Sequence, residues 1–145
     1  MSIYSRVKKF KSKYPGTIAF RLKEHSKVVE NIIDKDEQVF YVFCGQKNDS
    51  SKILFSSCVV AVTSKRIIIG EKRLLWGYMI TSVTPELFND LKISTGLFFG
   101  KIEIDTAKED MFISNLSKKS LDEIETNVNN IMLDNKRRIH EKYSK

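Results

Sequence analysis

The stretch that decides the fold is "CVVAVTSKRIIIGEKRLLWGYMI", residues 58–80. Two β-branched apolar runs flank Ser64-Lys65-Arg66, and a third apolar run follows Gly70-Glu71-Lys72-Arg73. Val and Ile suit a pleated surface, while Thr and Ser hydroxyls satisfy backbone groups in tight connections. The stretch therefore reads as consecutive strands joined by hairpin turns. Its basic turn residues admit two readings. In one, Arg66 packs its stem on the sheet or pairs with a carboxylate, and Lys65 is solvated. In the other, Lys65, Arg66, Lys72 and Arg73 gather at neighbouring hairpin ends as a cluster for an anionic ligand.

Outward from this stretch the same grammar continues. "QVFYVFCG" and "KILFSSCVVAVT" lie upstream or overlap it; "RIIIG", "RLLWGYM", "ITSVTPEL", "LKISTGLFF", "KIEIDTA" and "DMFISNL" follow in quick succession. Most are bounded by Gly, Asn, Asp or Ser, the usual punctuation of strands. In "KIEIDT" Ile102 and Ile104 point one way and Lys101, Glu103 and Asp105 the other. Pro85, just behind "ITSVT", marks an edge strand or a bend. About seven short strands with hairpin-length links make an antiparallel meander rather than βαβ units.

Helical periodicity brackets the strands. Ile3, Val7, Phe10 and Tyr14 fall on one helical face, with most of the basic residues off it. Tyr-Pro-Gly at 14–16 ends that segment. A second stripe holds Ile18, Leu22, Val29, Ile32 and Ile33, with Thr17 as its expected N-cap and "DKDE" at 34–37 as its exit loop. Beyond the strands, residues 120–142 read as a C-terminal amphipathic helix with Leu121, Ile124, Val128, Ile131, Met132 and Ile139 on its apolar side. Ser120 and Glu123 match the S-x-x-E capping box, with acids at the positive end of the helix dipole and Lys136, Arg137 and Arg138 near the negative end.

A chain of 145 residues with 41% hydrophobic and 30% charged residues is one ordinary globular domain. No apolar run approaches the roughly 20 residues that cross a bilayer. The start, "MSIYSRVKKFKSKYPG", lacks the apolar core and cleavage site of a signal peptide, so a cytoplasmic location is the default expectation. Cys44 and Cys58 sit inside apolar runs and are expected as buried free thiols. The net charge of +7 belongs to the ends. Arg6, Lys8, Lys9, Lys11 and Lys13 have no acid among them, and Lys136, Arg137, Arg138, Lys142 and Lys145 face only Glu141. The middle of the chain is slightly acidic, which is not the body-wide positive face of a nucleic-acid binder. Interleaved aromatic platforms are missing too. Nucleic acid is therefore not an expected partner.

A meander closed by one amphipathic helix has a compact solution: the sheet bends over itself and the helix plugs an open end. Specific residues then resemble a family. "CVVAVTSKRIII" is similar to the hairpin of bacterial pleckstrin-homology-like (PH-like) domains, in particular the YokE-like group, as are "IIDKDEQV" before the first strand, "MITSVTPEL" and "STGLFFGKIEI". The resemblance covers roughly 28–133 and departs from the pattern at Asp36 and Ser57, where Gly is common. It implies an α+β fold: a bent antiparallel sheet of about seven strands, barrel or sandwich, capped by the C-terminal helix. Residues 1–34 would form an N-terminal helical extension and 35–145 the PH-like domain.

Eukaryotic relatives often bind phosphoinositides at the loop between the first two strands. The matching loop, "GQKNDSSK" at 45–52, offers Lys47 and Lys52, diluted by Asp49 and lacking Arg; bacterial relatives are not expected to share that specificity. His25 and His140 are far apart in predicted helices, and no nucleophile context, metal-ligand spacing or phosphate-binding glycine loop is present. No catalytic residue, cofactor or metal is expected. The resulting expectation is a non-catalytic interaction module whose partner is a protein or a second copy. Trp76, Tyr78 and Met79 are its interface candidates if exposed, although "LLWGYMI" itself reads as a buried run. The alternative is attachment to an anionic membrane, at its inner face, through the basic ends, with the apolar face of the first helix on the lipid; that face more readily suits packing on the domain or on a neighbouring copy.

Overall fold

The computed structural model describes residues 2–47 and 57–143. Two helices come first, α1 (Ile3–Lys13) and α2 (Leu22–Ile32). Seven strands follow: β1 (Val39–Lys47), β2 (Ser57–Thr63), β3 (Ile67–Lys72), β4 (Tyr78–Val83), β5 (Phe88–Thr95), β6 (Gly100–Thr106) and β7 (Asp110–Leu116). A 3-10 turn at Lys118–Ser120 leads into α3 (Leu121–Tyr143).

The strands form one antiparallel sheet in the order β4-β3-β2-β1-β7-β6-β5. Among the described residues, β1 pairs with β2 over most of its length but with β7 only at Gln46↔Ser114 and Lys47↔Ile113. The sheet folds over at this two-rung junction. A Cβ on Gly45 would stand 2.5 Å from Ile113 Cγ2, so the close approach of the two halves requires glycine there. β4 and β5 stay at the two ends of the order, and the fold is a bent sheet rather than a closed barrel.

Burial explains the two kinds of strand sequence. β2 is buried at every position from Ser57 to Thr63, and β3 from Ile67 to Gly70. A Cβ at Gly70 would meet Val29 of α2 at 2.6 Å, which places α2 on one face of β3. Ile68 lies on that face by alternation, and Val59 and Ala61 join it through pairing. Their neighbours point into the bend. Strands buried on both faces read as continuous apolar runs, as "CVVAVT" and "RIIIG" do. β6 has one covered face, and its Ile102 and Ile104 alternate with more exposed residues as expected.

Ile3, Val7, Phe10 and Val29 belong to the same hydrophobic core as the sheet. The segment expected as an extension is thus a layer of the core. Phe10 packs on Phe43 with the rings tilted at 55° and their centroids 6.1 Å apart. Leu121, Ile124, Val128 and Met132 of α3 are buried as expected, and the Leu121 side chain lies against Gly100. The two free cysteines are buried, with burial pushing Cys44 up to about 12 and Cys58 upward as well.

Several local expectations are corrected. Thr17 does not cap α2: that helix begins after Arg21, which is left-handed at φ 56°, while Thr17 Oγ1 accepts a hydrogen bond from Ser117 N (3.0 Å). The connection spends Thr17 and Ile18 on β7, since Ile18 N also donates to Asn115 O, and so cannot coil until it reaches Leu22. The capping box of α3 is not used as such. Ser120 donates to Ser117 O, and Glu123 accepts from Tyr41, Tyr14 and Lys13, tying α1, β1 and α3 together. "RLLWGYM" and "ITSVTPEL" are not two strands, because Leu74–Gly77 turn and a single strand, β4, follows.

Asn135 is buried in α3 with Nδ2 donating to Thr63 O at 2.9 Å, a pairing 72 positions apart that helical periodicity does not reveal. Asn135→Ala is expected to lower stability by about 1–2 kcal/mol in urea denaturation, because the Thr63 carbonyl loses its side-chain donor.

Candidate interaction surface

The β2–β3 turn is a structural clasp. Glu37, at the α2–β1 connection, has a fully buried side chain that accepts from Arg66 Nε (3.0 Å), Arg66 Nη2 (3.0 Å) and the Thr63 hydroxyl. Arg66 Nη2 also donates to Ile32 O at 2.8 Å. Burial pushes the Glu37 carboxyl up, but the Arg66 and Thr63 hydrogen bonds outweigh it and hold the group below its ordinary value. Lys65 pairs with Asp36 (2.8 Å) and Asp34 (3.4 Å). Arg66 is thus the carboxylate partner of the first reading, and Lys65 is itself paired.

The four-residue anion cluster is not assembled. Lys65 and Arg66 precede β3 while Lys72 ends it and Arg73 follows, so even Arg66 and Lys72 stand about 20 Å apart along the strand. At the far end, Lys47 reaches Thr81 Oγ1 (3.0 Å) and lies 3.9 Å from Glu71. Burial raises the Glu71 carboxyl. Lys47 is therefore turned inward beside an acid, and Asp49 and Lys52 of the same loop lie outside the described residues.

The basic residues of α1 are largely occupied. Arg6 donates to Val39 O (2.7 Å) and Phe40 O (2.9 Å), Lys11 to Pro15 O (3.0 Å), and Lys13 to Glu123. Lys8 sits over the Tyr4 ring at 5.0 Å, and Lys9 is exposed. With Ile3, Val7 and Phe10 in the core, α1 has no apolar face left for a lipid surface. His25 and His140 are not brought together: one is buried in α2 and the other lies exposed on α3. Among the described residues no group of three or more His, Cys, Asp or Glu could hold a metal ion.

The feature the apolar run concealed is at β4. The β3–β4 turn closes through Arg73 N to Gly77 O (3.1 Å), with Gly77 at φ +83°, a conformation that favours glycine. The turn holds Leu75 and Trp76 out of the core, each 78% exposed, and Tyr78 is 61% exposed. "LLWGYMI" is therefore not a buried run; the glycine that reverses the chain carries the apolar side chains into solvent.

The base of the turn is fastened to α2. Lys72 N donates to His25 Nδ1 (2.8 Å), and Arg21 Nη1 donates to Lys72 O (3.1 Å). Burial, reinforced by Arg21, pushes His25 down to about 4, so the ring is neutral and free to accept. A groove of about 310 Å³ runs between α2 and β4, lined by Glu24, Lys27, Val28, Asn31, Lys72 and Tyr78. Among the described residues β4 is an edge of the sheet, and it has no charged residue or proline from Tyr78 to Val83. The other edge, β5, carries Asp90 and Lys92 and packs against α3. Charges are a common guard on an edge strand, and β4 has none.

A family model described as bPH_3, Bacterial PH domain, matches residues 33–130, beginning where α2 ends. Two solved structures are similar. A DUF1696 family protein with a pleckstrin-homology domain from Shewanella loihica PV-4 is 14% identical, covering 76% of this chain and 95% of that one, with a TM-score of 0.49. A pleckstrin homology domain from Shewanella amazonensis SB2B is 13% identical, covering 74% of this chain and 85% of that one, with a TM-score of 0.47. No curated protein matches the chain. No helix among the described residues is long and apolar enough to cross a membrane.

Proposed function

This chain belongs to the bacterial PH domain family, and from that premise we propose that it is a non-catalytic interaction module that binds an extended protein segment along β4, a second copy of itself included. The observation that carries this reading is an uncharged edge strand that begins at exposed Tyr78, just after exposed Trp76 in the turn. An added strand gains main-chain hydrogen bonds from such an edge, and pockets beside it select alternate side chains. The groove against α2 supplies a pocket of that kind, with Lys27 and Glu24 at its rim. Trp and Tyr are the residue types that most often dominate binding energy.

A photo-cross-linker at Ser82, on β4, is expected to give a protein adduct in cells. Replacing Trp76 and Tyr78 together with serine is expected to weaken that adduct by about tenfold or more. An adduct of equal strength from Ser94 on β5, or none from Ser82, would reject the assignment. Light scattering identifies the occupant. A mass that rises with concentration makes it a second copy, and a constant monomer mass beside a Ser82 adduct makes it another protein.

A further inference from the structure

The opposite end of the molecule carries a second exposed apolar tip. The β5–β6 turn closes through Gly96 N to Phe99 O at 2.8 Å and puts Leu97 and Phe98 at its apex, 82% and 77% exposed. This turn stands at the end plugged by α3, where Gly100 meets Leu121, away from the β3–β4 turn. Lysines surround it. Lys118 Nζ donates to Leu97 O (2.8 Å), and Lys119 is exposed beside it. Lys101 follows the turn, with its ammonium over the Phe112 ring at 5.0 Å. The last turn of α1 brings Lys11 and Lys13 to the same end, since Gly16 lies against Ser117 and Lys13 against Glu123. The acids on the first turns of α3 are Asp122, which is exposed, Glu125, which is half-buried, and Glu123, which Lys13, Tyr14 and Tyr41 already engage.

We infer that this end, with Leu97 and Phe98 at its apex and Lys101, Lys118 and Lys119 around them, docks onto an anionic lipid bilayer. The shape and the charge select this occupant. A convex two-residue tip offers far less than the roughly 800 Å² that a stable protein partner covers on each side. A bilayer interface accepts individual apolar side chains, while its anionic surface attracts the surrounding ammonium groups. The surface does not involve β4 and does not depend on the reading given for it. It also differs from insertion of α1, whose apolar face is in the core.

The test uses vesicles of phosphatidylcholine alone or mixed with phosphatidylglycerol. The intact protein is expected to co-sediment with the mixed vesicles at low salt, less at high salt, and not with phosphatidylcholine alone. Lys119→Gln, at an exposed side chain, is expected to cut partitioning about fivefold. Leu97→Ser combined with Phe98→Ser is expected to cut it about tenfold or more, with an unchanged melting temperature showing that the fold persists. Serine at Trp76 and Tyr78 leaves it unchanged. Phe98→Trp in a Trp76→Phe background is expected to blue-shift its emission on mixed vesicles, whereas Trp76 in the wild type does not shift. Failure of the intact protein to sediment, full binding by the Leu97 and Phe98 double variant, or a blue shift at Trp76 in place of position 98 would overturn the inference.

Discussion

Glu37→Ala is expected to destabilise the protein by about 3–5 kcal/mol, the range for removing one partner of a buried ion pair. The loss arises on both sides of the contact. Arg66, largely buried, would keep its charge without the carboxylate that holds Nε and Nη2, and the Thr63 hydroxyl would lose its acceptor. The α2–β1 connection would also come free of the β2–β3 turn. Urea denaturation with linear extrapolation measures the effect. Arg66→Met in the Glu37→Ala background is expected to recover part of it by removing the stranded charge. A loss under about 1 kcal/mol for Glu37→Ala would mean that the pair is dispensable. The carboxyl is held below its ordinary value, so its contribution is present above about pH 4.3 and disappears as pH falls through the folded-state value.

The second large effect lies higher on the pH scale and comes from His25. Its ring is neutral in the folded protein down to about pH 4, against an ordinary value of 6.5. Once the chain unfolds, the ring takes up a proton below about pH 6.5, so acid favours the unfolded state. Stability from this group is complete above pH 6.5 and falls by about 3 kcal/mol in all as pH drops to about 4. Urea midpoints between pH 7 and 4.5 measure the slope. His25→Gln retains an acceptor for Lys72 N but cannot be protonated, and is expected to flatten the profile above pH 4.5. Parallel profiles for the two proteins would show that His25 titrates alike in both states. The Glu37 effect lies lower on the pH scale, so the two are separable.

Much of the architecture is visible in residue pattern because pattern reports burial. The unbroken runs at 58–63 and 67–70 mark strands covered on both faces, and "KIEIDT" marks one covered on a single face. The apolar stripe of α3 appears where its periodicity places it. Pattern fails where two environments write the same letters. "LLWGYMI" has the composition of a core strand, yet Gly77 turns it outward. The stripe of α1 suits a bilayer or a protein core, and only β1 and α2 packing on it decides. Partners remote in the chain leave no local mark at all. Nothing near Glu37 announces Arg66, and nothing near Asn135 announces Thr63. Ser120 before α3 and Glu123 in its first turn suggest a cap because that motif is local, but long-range tyrosines compete successfully for the carboxylate.

The narrow junction between β1 and β7 bears on how the protein is made. Among the described residues, apart from β1 with β7, every strand ladder joins neighbours in the chain. A growing polypeptide can therefore complete the first four strands under α1 and α2 before the remaining three leave the ribosome. Among the described residues, the two rungs at Gln46 and Lys47 are then the ladder between the finished pieces. Emergence of α3, whose buried face touches β1, β2, β5 and β6, is the late event that clamps them into one body.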